Sequence, residues 1–160
     1  MERFECGRER ATHRGSPKKQ RQFYSGKKKC HTQKAQIVID HASQSIVCVA
    51  VCAGKTHDFA LYKATRLVLP ASVELLGDTG YQGIARWHPN AQTPHKKSKK
   101  NPLTPEQKQQ NRALSSRRIK VEHLLRYLKR FRILSATYRN RRKRFALRLN
   151  LLAAIANLHR

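Results

Sequence analysis

Acidic residues are scarce in this sequence. Its 160 residues contain 9 aspartates and glutamates against 35 lysines and arginines, so the formal net charge at pH 7 is +26. Such an imbalance opposes self-association through like-charge repulsion and attracts polyanions, which makes nucleic acid the expected partner. The hydrophobic share of 39% argues against a wholly disordered basic tail. The composition therefore predicts one folded basic domain over residues 1–160.

A long apolar run and a cysteine pair at metal-binding spacing are also absent. The longest apolar stretch, over 149–158, is interrupted by two asparagines and is far short of the roughly 20 residues of a membrane span. The N-terminus carries charges where a signal peptide has its apolar segment, so we expect no export, no membrane partner and a cytoplasmic location. The four cysteines form no CxxC pair, and Cys48 and Cys52 lie in an apolar run. A reduced core thiol is a more common role there than zinc binding.

The order of the apolar patterns predicts a mixed α/β layer fold. Two β-branched runs, at 36–40 and 45–53, predict an antiparallel hairpin. The second run is apolar on both faces, so we expect it in the middle of a covered sheet. Thr56 is expected to cap a helix that Pro70 closes. The remaining predicted elements are a short strand at 73–76, a glycine-rich loop at 77–83, a surface loop at 94–105, and helices at 105–128 and 139–158.

Because acids are rare, the position of each one is informative. In the segment 117–148 thirteen basic residues accompany a single acid, Glu122. In an ordinary basic helix such a carboxylate is a salt-bridge partner. Here Arg118, Arg126 and Lys129 stand at offsets that place them on the same helical face as Glu122. A carboxylate flanked by cations along one stripe is also how a helix can hold a divalent metal beside phosphates.

Asp78 is the second candidate ligand. It follows an apolar strand directly and sits among three glycines, which let a ligand approach the backbone. An ordinary turn aspartate fits this position as well. Carboxylates at a strand end and on a facing helix are ligands that Mg²⁺ prefers. A pair of metals held in this way activates a water or a 3′-hydroxyl at a phosphodiester.

The basic runs and the scattered aromatic residues are each compatible with two roles. The basic runs are either solvated surface or phosphate contacts, and the net charge favours phosphate contacts. They comprise Lys27, Lys28, Lys29, Lys96, Lys97, Lys99, Lys100, Arg141, Arg142, Lys143 and Arg144. The side chains of Tyr24, Tyr81, Trp87 and Tyr138 are able to stack on bases, but core packing is the more common role for most of them.

Seven stretches, in order along the chain from Glu9 onward, carry a family resemblance. They are ERATHR, QRQFYSGKKKCHT, GKTHDFALYK, LLGDTGYQGI, HKKSKKNPLT, NRALSSRRIKVEHLLRYLKRFRILS and YRNRRKRF. With these stretches the chain resembles the DDE-superfamily transposases of bacterial insertion sequences, in the branch related to the insertion-sequence-five and Harbinger-like elements. The resemblance implies an RNase H-like mixed sheet flanked by helices. It also implies a nucleoid-associated bacterial enzyme that works as a multimer on double-stranded DNA.

The same resemblance assigns a metal site. Three carboxylates hold two Mg²⁺ (or Mn²⁺) ions for DNA strand cleavage and strand transfer. LLGDTGYQG carries the second carboxylate, Asp78, and RIKVEHLLRYLK carries the third, Glu122. Arg118 and Lys129 match the arginine and lysine of the family's signature around that glutamate. Ser115 stands where many members have tyrosine.

The first carboxylate is missing from its motif. Family members usually read Asp-Gly-Thr-Glu-Arg where this chain has CGRER from Cys6 onward. A cysteine thiol is a soft ligand that suits Mg²⁺ poorly. Five residues precede Cys6, so the resemblance implies that the upstream strand and the usual N-terminal helical region are absent and the first strand is truncated. Glu5, Glu9, Asp40 and Asp58 are the acids at which a substitute is sought, and Asp58 resembles a structural position of the family.

We therefore expect a transposase catalytic domain that is a truncated or decaying copy, or the second half of a split gene, without full activity of its own. The alternative is a catalytically inactive DNA-binding remnant that occupies element ends or inhibits an intact transposase. The expected protein partners are further copies of the chain or an intact transposase. A small ribosome-associated basic protein would explain the charge but not the two placed carboxylates.

Overall fold

A four-stranded sheet flanked by helices forms the body of the protein. The computed structural model describes residues 21, 23–25, 29–98, 102–138 and 140–159 with their side chains, and residues 2–9 by their backbone. The strands of the large sheet are β1 (Glu2–Glu9), β2 (Tyr24–Ser25), β3 (Cys30–Ile39) and β4 (Ile46–Ala53). The helices are α1 (Asp58–Thr65), α2 (Pro105–Lys129), α3 (Arg132–Ser135) and α4 (Phe145–Leu158). Strands β5 (Leu75–Leu76) and β6 (Ala91–Gln92) form a separate parallel pair. This mixed α/β arrangement is compatible with an RNase H-like fold.

Strand β3 is the centre of the large sheet. It pairs antiparallel with β4, which confirms the predicted hairpin. Strand β1 pairs antiparallel along its other edge, and the short β2 pairs on the same edge as β4, because Glu9 of β1 and Tyr24 of β2 both stand opposite His31. The expectation that β4 lies in the middle of the sheet is wrong, because among the described strands β4 pairs with β3 alone. Its two apolar faces have a different cause. Helix α4 and α2 cover the face that carries Val49 and Val51, while the opposite face carries Cys48 toward the α1 side.

Two hydrophobic clusters cover the two faces of β3, since alternate residues of a strand point to opposite sides. On one face Ala35 and Ile37 pack against buried side chains of α2, α3 and α4. On the other face Val38 packs against Tyr62 of α1 and against Tyr81. The glycine-rich loop that carries Asp78 is therefore held on the α1 side of the sheet.

The long helix α2 begins where the sequence predicts and ends one residue later, at Lys129. Pro105 occupies its first turn, and Thr104 and Gln107 form a reciprocal capping box. The buried residues Val121, Leu124, Leu125 and Leu128 follow the helical period and face the sheet.

The bounds of two other predicted helices are corrected. Helix α1 is capped by His57 rather than Thr56, because the His57 Nδ1 accepts the Phe59 N–H at 3.3 Å. The same helix ends at Thr65, where Arg66 turns into the left-handed region at a φ of 49°, so Pro70 does not close it.

The last helix begins at Phe145 instead of residue 139, and the basic residues Arg142–Arg144 form a 3₁₀ turn ahead of it. Cations at a helix N-terminus oppose the helix dipole, which explains the late start. Asn157, near the other end, both donates to and accepts from the Ile46 backbone at 3.0 and 2.9 Å. These two hydrogen bonds anchor α4 to the start of β4.

Two further expectations, one of them at the N-terminus, are changed. Residues 2–5, ahead of Cys6, already pair with β3, so the strand that the resemblance implies is absent is present over eight residues. The predicted strand at 73–76 is confined to Leu75–Leu76. Of the predicted loop at 94–105, Pro94 is buried and 95–98 are exposed, while 99–101 lie outside the described residues. Among the described helices none is both long and apolar enough to cross a bilayer.

Candidate active site

Asp78 caps a 3₁₀ turn directly after β5. Its Oδ1 accepts hydrogen bonds from the Thr79 N–H and, at 3.0 Å, from the Thr79 hydroxyl. The turn Thr79–Tyr81 ends in a buried tyrosine that packs under the sheet. The side chain of Asp78 keeps 32% of its surface exposed. The loop therefore fixes this carboxylate firmly while leaving it accessible.

Helix α2 brings a cation to Asp78. The Arg118 guanidinium lies 3.9 Å from the Asp78 Oδ1, and the Arg118 side chain is only 12% exposed. Glu122 is one helical turn further along α2 and is exposed. Lys129 is the last residue of α2 and is exposed as well. The structure thus joins Asp78 directly to Arg118, while Glu122 and Lys129 share the helix of that arginine.

A second carboxylate, Asp58, stands beside the Asp78 loop. Asp58 is the first residue of α1 and is buried. Its Oδ1 accepts from the Lys34 ammonium at 3.3 Å, and the same ammonium donates to the Thr56 carbonyl at 2.8 Å. A Cβ added to Gly80 would lie 2.6 Å from the Asp58 Oδ2. The Asp58 carboxylate therefore fills the space that Gly80 leaves open, two residues after Asp78.

An open cavity of about 460 Å³ connects these groups. Both Asp58 and Asp78 line it, and its other lining residues include three lysines and two histidines. They are Lys34, Lys96, Lys97, His57 and His95. Lys96 and Lys97 are exposed at the rim. A cavity with two carboxylates and a cationic rim is suited to a phosphate backbone that approaches a metal or a polarised water.

The next arginine of α2 makes a second link to the segment that carries Asp78. The Arg117 guanidinium binds both oxygens of Glu74, one residue before β5. This ion pair lowers the pKa of Glu74 and raises the pKa of Arg117, chiefly through the side-chain hydrogen bonds. Consecutive arginines therefore tie α2 to Glu74 before the strand and to Asp78 after it.

The acids considered as substitutes for the first carboxylate have different surroundings. Asp40 caps the β3–β4 turn, where its Oδ2 accepts from the Ser43 N–H at 2.9 Å and the Ser43 hydroxyl at 2.6 Å. These bonds lower the pKa of Asp40, and they give it a local structural role. On β1 the backbone register sets Glu5 opposite Lys34 and Cys6 opposite Gln33. Glu9 lies opposite His31.

The candidate phosphate contacts lie in separate places. Lys96 and Lys97 line the cavity, and Lys29 is exposed just before β3. Arg141, Arg142, Lys143 and Arg144 are exposed ahead of α4, and the Arg142 guanidinium lies 4.4 Å from the Phe23 ring. Lys27, Lys28, Lys99 and Lys100 lie outside the described residues.

Oxygen donors suited to Mg²⁺ are present, but their number is small. Within the described ranges no group of three or more histidine, cysteine, aspartate or glutamate side chains lies close enough to hold a metal ion. Carboxylate oxygens of Asp78 and Glu122 have the right chemistry for a hard cation. Asp58 has the same chemistry, but the Lys34 ammonium already balances its charge.

Sequence reasoning missed Lys34 and the contact between Asp58 and Gly80. Lys34 precedes a β-branched run and carries no motif of its own, so only the three-dimensional contact reveals it. Asp58 had a detectable signal, because it is one of only 9 acids in a strongly basic chain.

Comparison with known proteins gives a consistent result. A family model described as DDE superfamily endonuclease matches residues 6–159. The chain is 46% identical over 142 residues to the probable transposase for insertion sequence element IS702 of Microchaete diplosiphon. That match covers 88% of this chain and 51% of the relative, so the chain spans about half the relative's length. No solved structure matches the chain.

Proposed function

The chain belongs to the DDE superfamily endonucleases, and from that membership we propose that it is the catalytic-domain part of an insertion-sequence transposase. Its substrate is double-stranded DNA, whose phosphodiester bonds it cuts and rejoins. The observation that carries this proposal is the placement of Asp78 on a cation-rimmed cavity, within 3.9 Å of an arginine on the helix of Glu122. We assign the cavity as the place where the phosphate backbone lies.

Asp78 and Glu122 are the residues that would hold a divalent cation. Such an ion, Mg²⁺ or Mn²⁺, activates an attacking hydroxyl and stabilises the leaving oxygen when it is bound. The chain's own side chains have three further tasks. Arg118 orients Asp78, Lys96 and Lys97 bind phosphates, and Lys129 extends the cationic stripe along α2. The Lys34–Asp58 ion pair lies against Gly80 and helps to fix the loop that carries Asp78.

A specific observation favours a second candidate function, that of a DNA-binding remnant without catalysis. The family motif has an aspartate at the position of Cys6, and the described residues supply no third carboxylate ligand. Two carboxylates leave more of the metal's charge uncompensated than three do, so metal affinity is low in this case. The cationic surface would still bind DNA at element ends and compete with an intact transposase.

The partners and location follow from the same proposal. Double-stranded DNA is the main partner, and further copies of the chain or an intact transposase are the protein partners. The chain acts in the bacterial cytoplasm at the nucleoid.

Nicking of supercoiled plasmid DNA in Mg²⁺ or Mn²⁺ tests the proposed catalysis. We expect the Cys6→Asp variant to nick the plasmid faster than the unaltered chain, because it restores a hard oxygen ligand. Adding Asp78→Asn or Glu122→Gln to that variant should reduce nicking at least a hundredfold. Asp40→Asn and Glu106→Gln are matched controls, because they remove an exposed carboxylate elsewhere on the hairpin and on α2, and they should leave the rate unchanged.

The same set of variants separates the two candidate functions. A Cys6→Asp chain that never nicks DNA, yet binds it with an affinity that Asp78→Ala leaves unchanged, supports the DNA-binding remnant. Nicking that persists in both the Asp78 and the Glu122 variants contradicts the proposed site.

A further inference from the structure

Trp87 is an exposed ring on a firmly held stretch of backbone. It is the only tryptophan of the chain, and 59% of its surface is exposed. The backbone N–H of Trp87 donates a hydrogen bond to the Ile84 carbonyl at 2.8 Å. Buried side chains stand on both sides of it, Ile84 before and His88 after, and the His88 imidazole is bonded to the Val73 carbonyl. The backbone is thus anchored while the indole faces solvent, unlike Tyr81 and Tyr138, which are buried as expected for core aromatics.

A cation lies on this ring. The Lys63 ammonium, on α1, lies 5.2 Å from the centre of the Trp87 ring and 4.6 Å from the centre of the Phe59 ring. Phe59 in turn stacks on Tyr62, with 6.4 Å between ring centres and 12° between planes. We call Phe59, Lys63 and Trp87 the Trp87 platform. It combines a broad aromatic surface with a positive charge, which are the two features that bind an unstacked base and its phosphate.

Helix α1 relates the platform to Asp78. Helix α1 runs alongside the segment that follows Asp78. Asp58 abuts Gly80, Phe59 lies near Gly83, and Lys63 lies over Trp87. A helix rises 1.5 Å per residue, so the five steps from Asp58 to Lys63 cover about 7.5 Å. This is about two base steps of a DNA strand at 3.4 Å each. The platform therefore lies on the same flank of the sheet as the Asp78 loop, and its lysine is about two base steps along α1 from Asp58, which abuts that loop.

We propose that the Trp87 platform binds an unpaired base of the DNA strand whose phosphate lies at Asp78, with the base stacked on Trp87 and its phosphate beside Lys63. This inference rests on the proposed function. Within a duplex both faces of each base are covered by neighbouring bases, so an indole reaches a base face only where the strand is single or the base is turned out. The strongly positive chain, at +26, favours a nucleic-acid partner over an apolar protein for this surface.

Intrinsic fluorescence tests the proposal directly, because Trp87 is the sole tryptophan. The full chain is titrated in EDTA with three oligonucleotides of the same sequence: a blunt duplex, a duplex with a single-stranded 3′ overhang, and the single strand. We expect strong quenching by the overhang and by the single strand, and weak quenching by the blunt duplex. Labelled versions of the same probes give affinities by anisotropy.

Variants then show which side chains cause the preference for the overhang probe. Trp87→Ala should weaken binding of the overhang probe about tenfold and binding of the blunt duplex less than twofold. Trp87→Phe should restore part of the preference, since a smaller ring still stacks. Lys63→Met keeps the apolar stem but removes the charge, and should weaken overhang binding severalfold. Tyr24→Ala, which removes an exposed aromatic ring on β2, is the matched control and should leave both affinities unchanged.

Two results overturn the proposal while the proposed function stands: equal quenching by blunt duplex and overhang, or an equal loss of affinity for both in Trp87→Ala. A chain that binds none of the three probes overturns the platform and the proposed function together. Plasmid nicking by the Cys6→Asp variant reports on the proposed function separately, so the two failures are distinguishable.

Discussion

At the scale of single residues, the Asp78 loop is held by a close contact that is possible only because Gly80 has no side chain. Gly80 sits against the Asp58 carboxylate, and Lys34 holds that carboxylate in place with both side chains nearly buried. Because the ion pair restricts Asp58, the carboxylate does not swing away freely to admit a methyl group. The position of Asp78 is thus coupled to a strand and a helix through one small residue.

We predict that Gly80→Ala destabilises the protein by about 1–3 kcal/mol, the usual cost of forcing a methyl group into filled space. The physical cause is the 2.6 Å approach of the added Cβ to the Asp58 Oδ2. Chemical denaturation of the wild-type chain and the variant measures the difference.

A double-mutant cycle supplies the control for this prediction. In a Lys34→Met/Asp58→Ala background the obstructing carboxylate and its buried counter-charge are both gone. In that background Gly80→Ala should lower the free energy of unfolding by less than about 0.5 kcal/mol, because the carboxylate that the new methyl group would meet has been removed. An equal cost in both backgrounds would place the strain elsewhere in the loop.

Sequence reasoning proposed Asp78, Glu122 and Arg118 for the site, but it did not identify Lys34 as the partner of Asp58. Asp78 and Glu122 are conspicuous because acids are so rare, and Arg118 follows from helical spacing. Lys34 is one of 35 basic residues, and nothing in its neighbourhood marks it as the buried partner of Asp58. Pairings between residues far apart in the sequence need the fold, whereas spacing within one helix does not.

At the scale of secondary-structure elements, the Glu74–Arg117 pair joins the start of β5 to helix α2. The ion pair lowers the pKa of Glu74 below its ordinary value of 4.5. A carboxyl whose pKa is lowered in the folded state stabilises the fold fully above its unfolded pKa and loses that contribution as the pH falls through the folded value. Both partners are about 40% exposed, so solvent screens the interaction.

We therefore predict that Glu74→Gln lowers the free energy of unfolding by less than about 1 kcal/mol at pH 7. The difference from wild type should hold down to about pH 4.5 and shrink below it. Urea denaturation at a series of pH values measures it. Arg117→Met alone and with Glu74→Gln completes the cycle, and a deficit that stays constant down to pH 3 would show that charge is not its cause.

The elements themselves were predicted unevenly. The β3–β4 hairpin and α2 follow from periodicity and from Pro105, and both are confirmed. The sequence predicts β4 as the central strand, but the central strand is β3. The sequence of β3 is more polar because the side chains of Lys34 and Gln36 point into the protein, although β3 has strands paired along both of its edges. The start of α4 was misplaced because the basic run before Phe145 fits a helical period but conflicts with the helix dipole.

For the whole molecule, the sheet separates two hydrophobic clusters, and the proposed site lies where elements from both sides meet. The loop of Asp78 packs with the α1 cluster, while α2 packs its apolar face into the other cluster. Arg117 and Arg118 bridge from α2 to the segment around β5. The mixed α/β class was predictable from the order of patterns, but this meeting point was not, because it depends on contacts between segments about 40 residues apart.

The central claim is that Asp78 and Glu122 serve one divalent-cation site, and calorimetric titration with Mn²⁺ tests it most directly. In the Cys6→Asp chain we predict Mn²⁺ binding that either Asp78→Asn or Glu122→Gln weakens at least tenfold, while Asp40→Asn leaves it unchanged. The unaltered chain should bind more weakly than Cys6→Asp. Mn²⁺ binding that is indifferent to Asp78 and Glu122, or no binding even in the Cys6→Asp chain, would contradict the account.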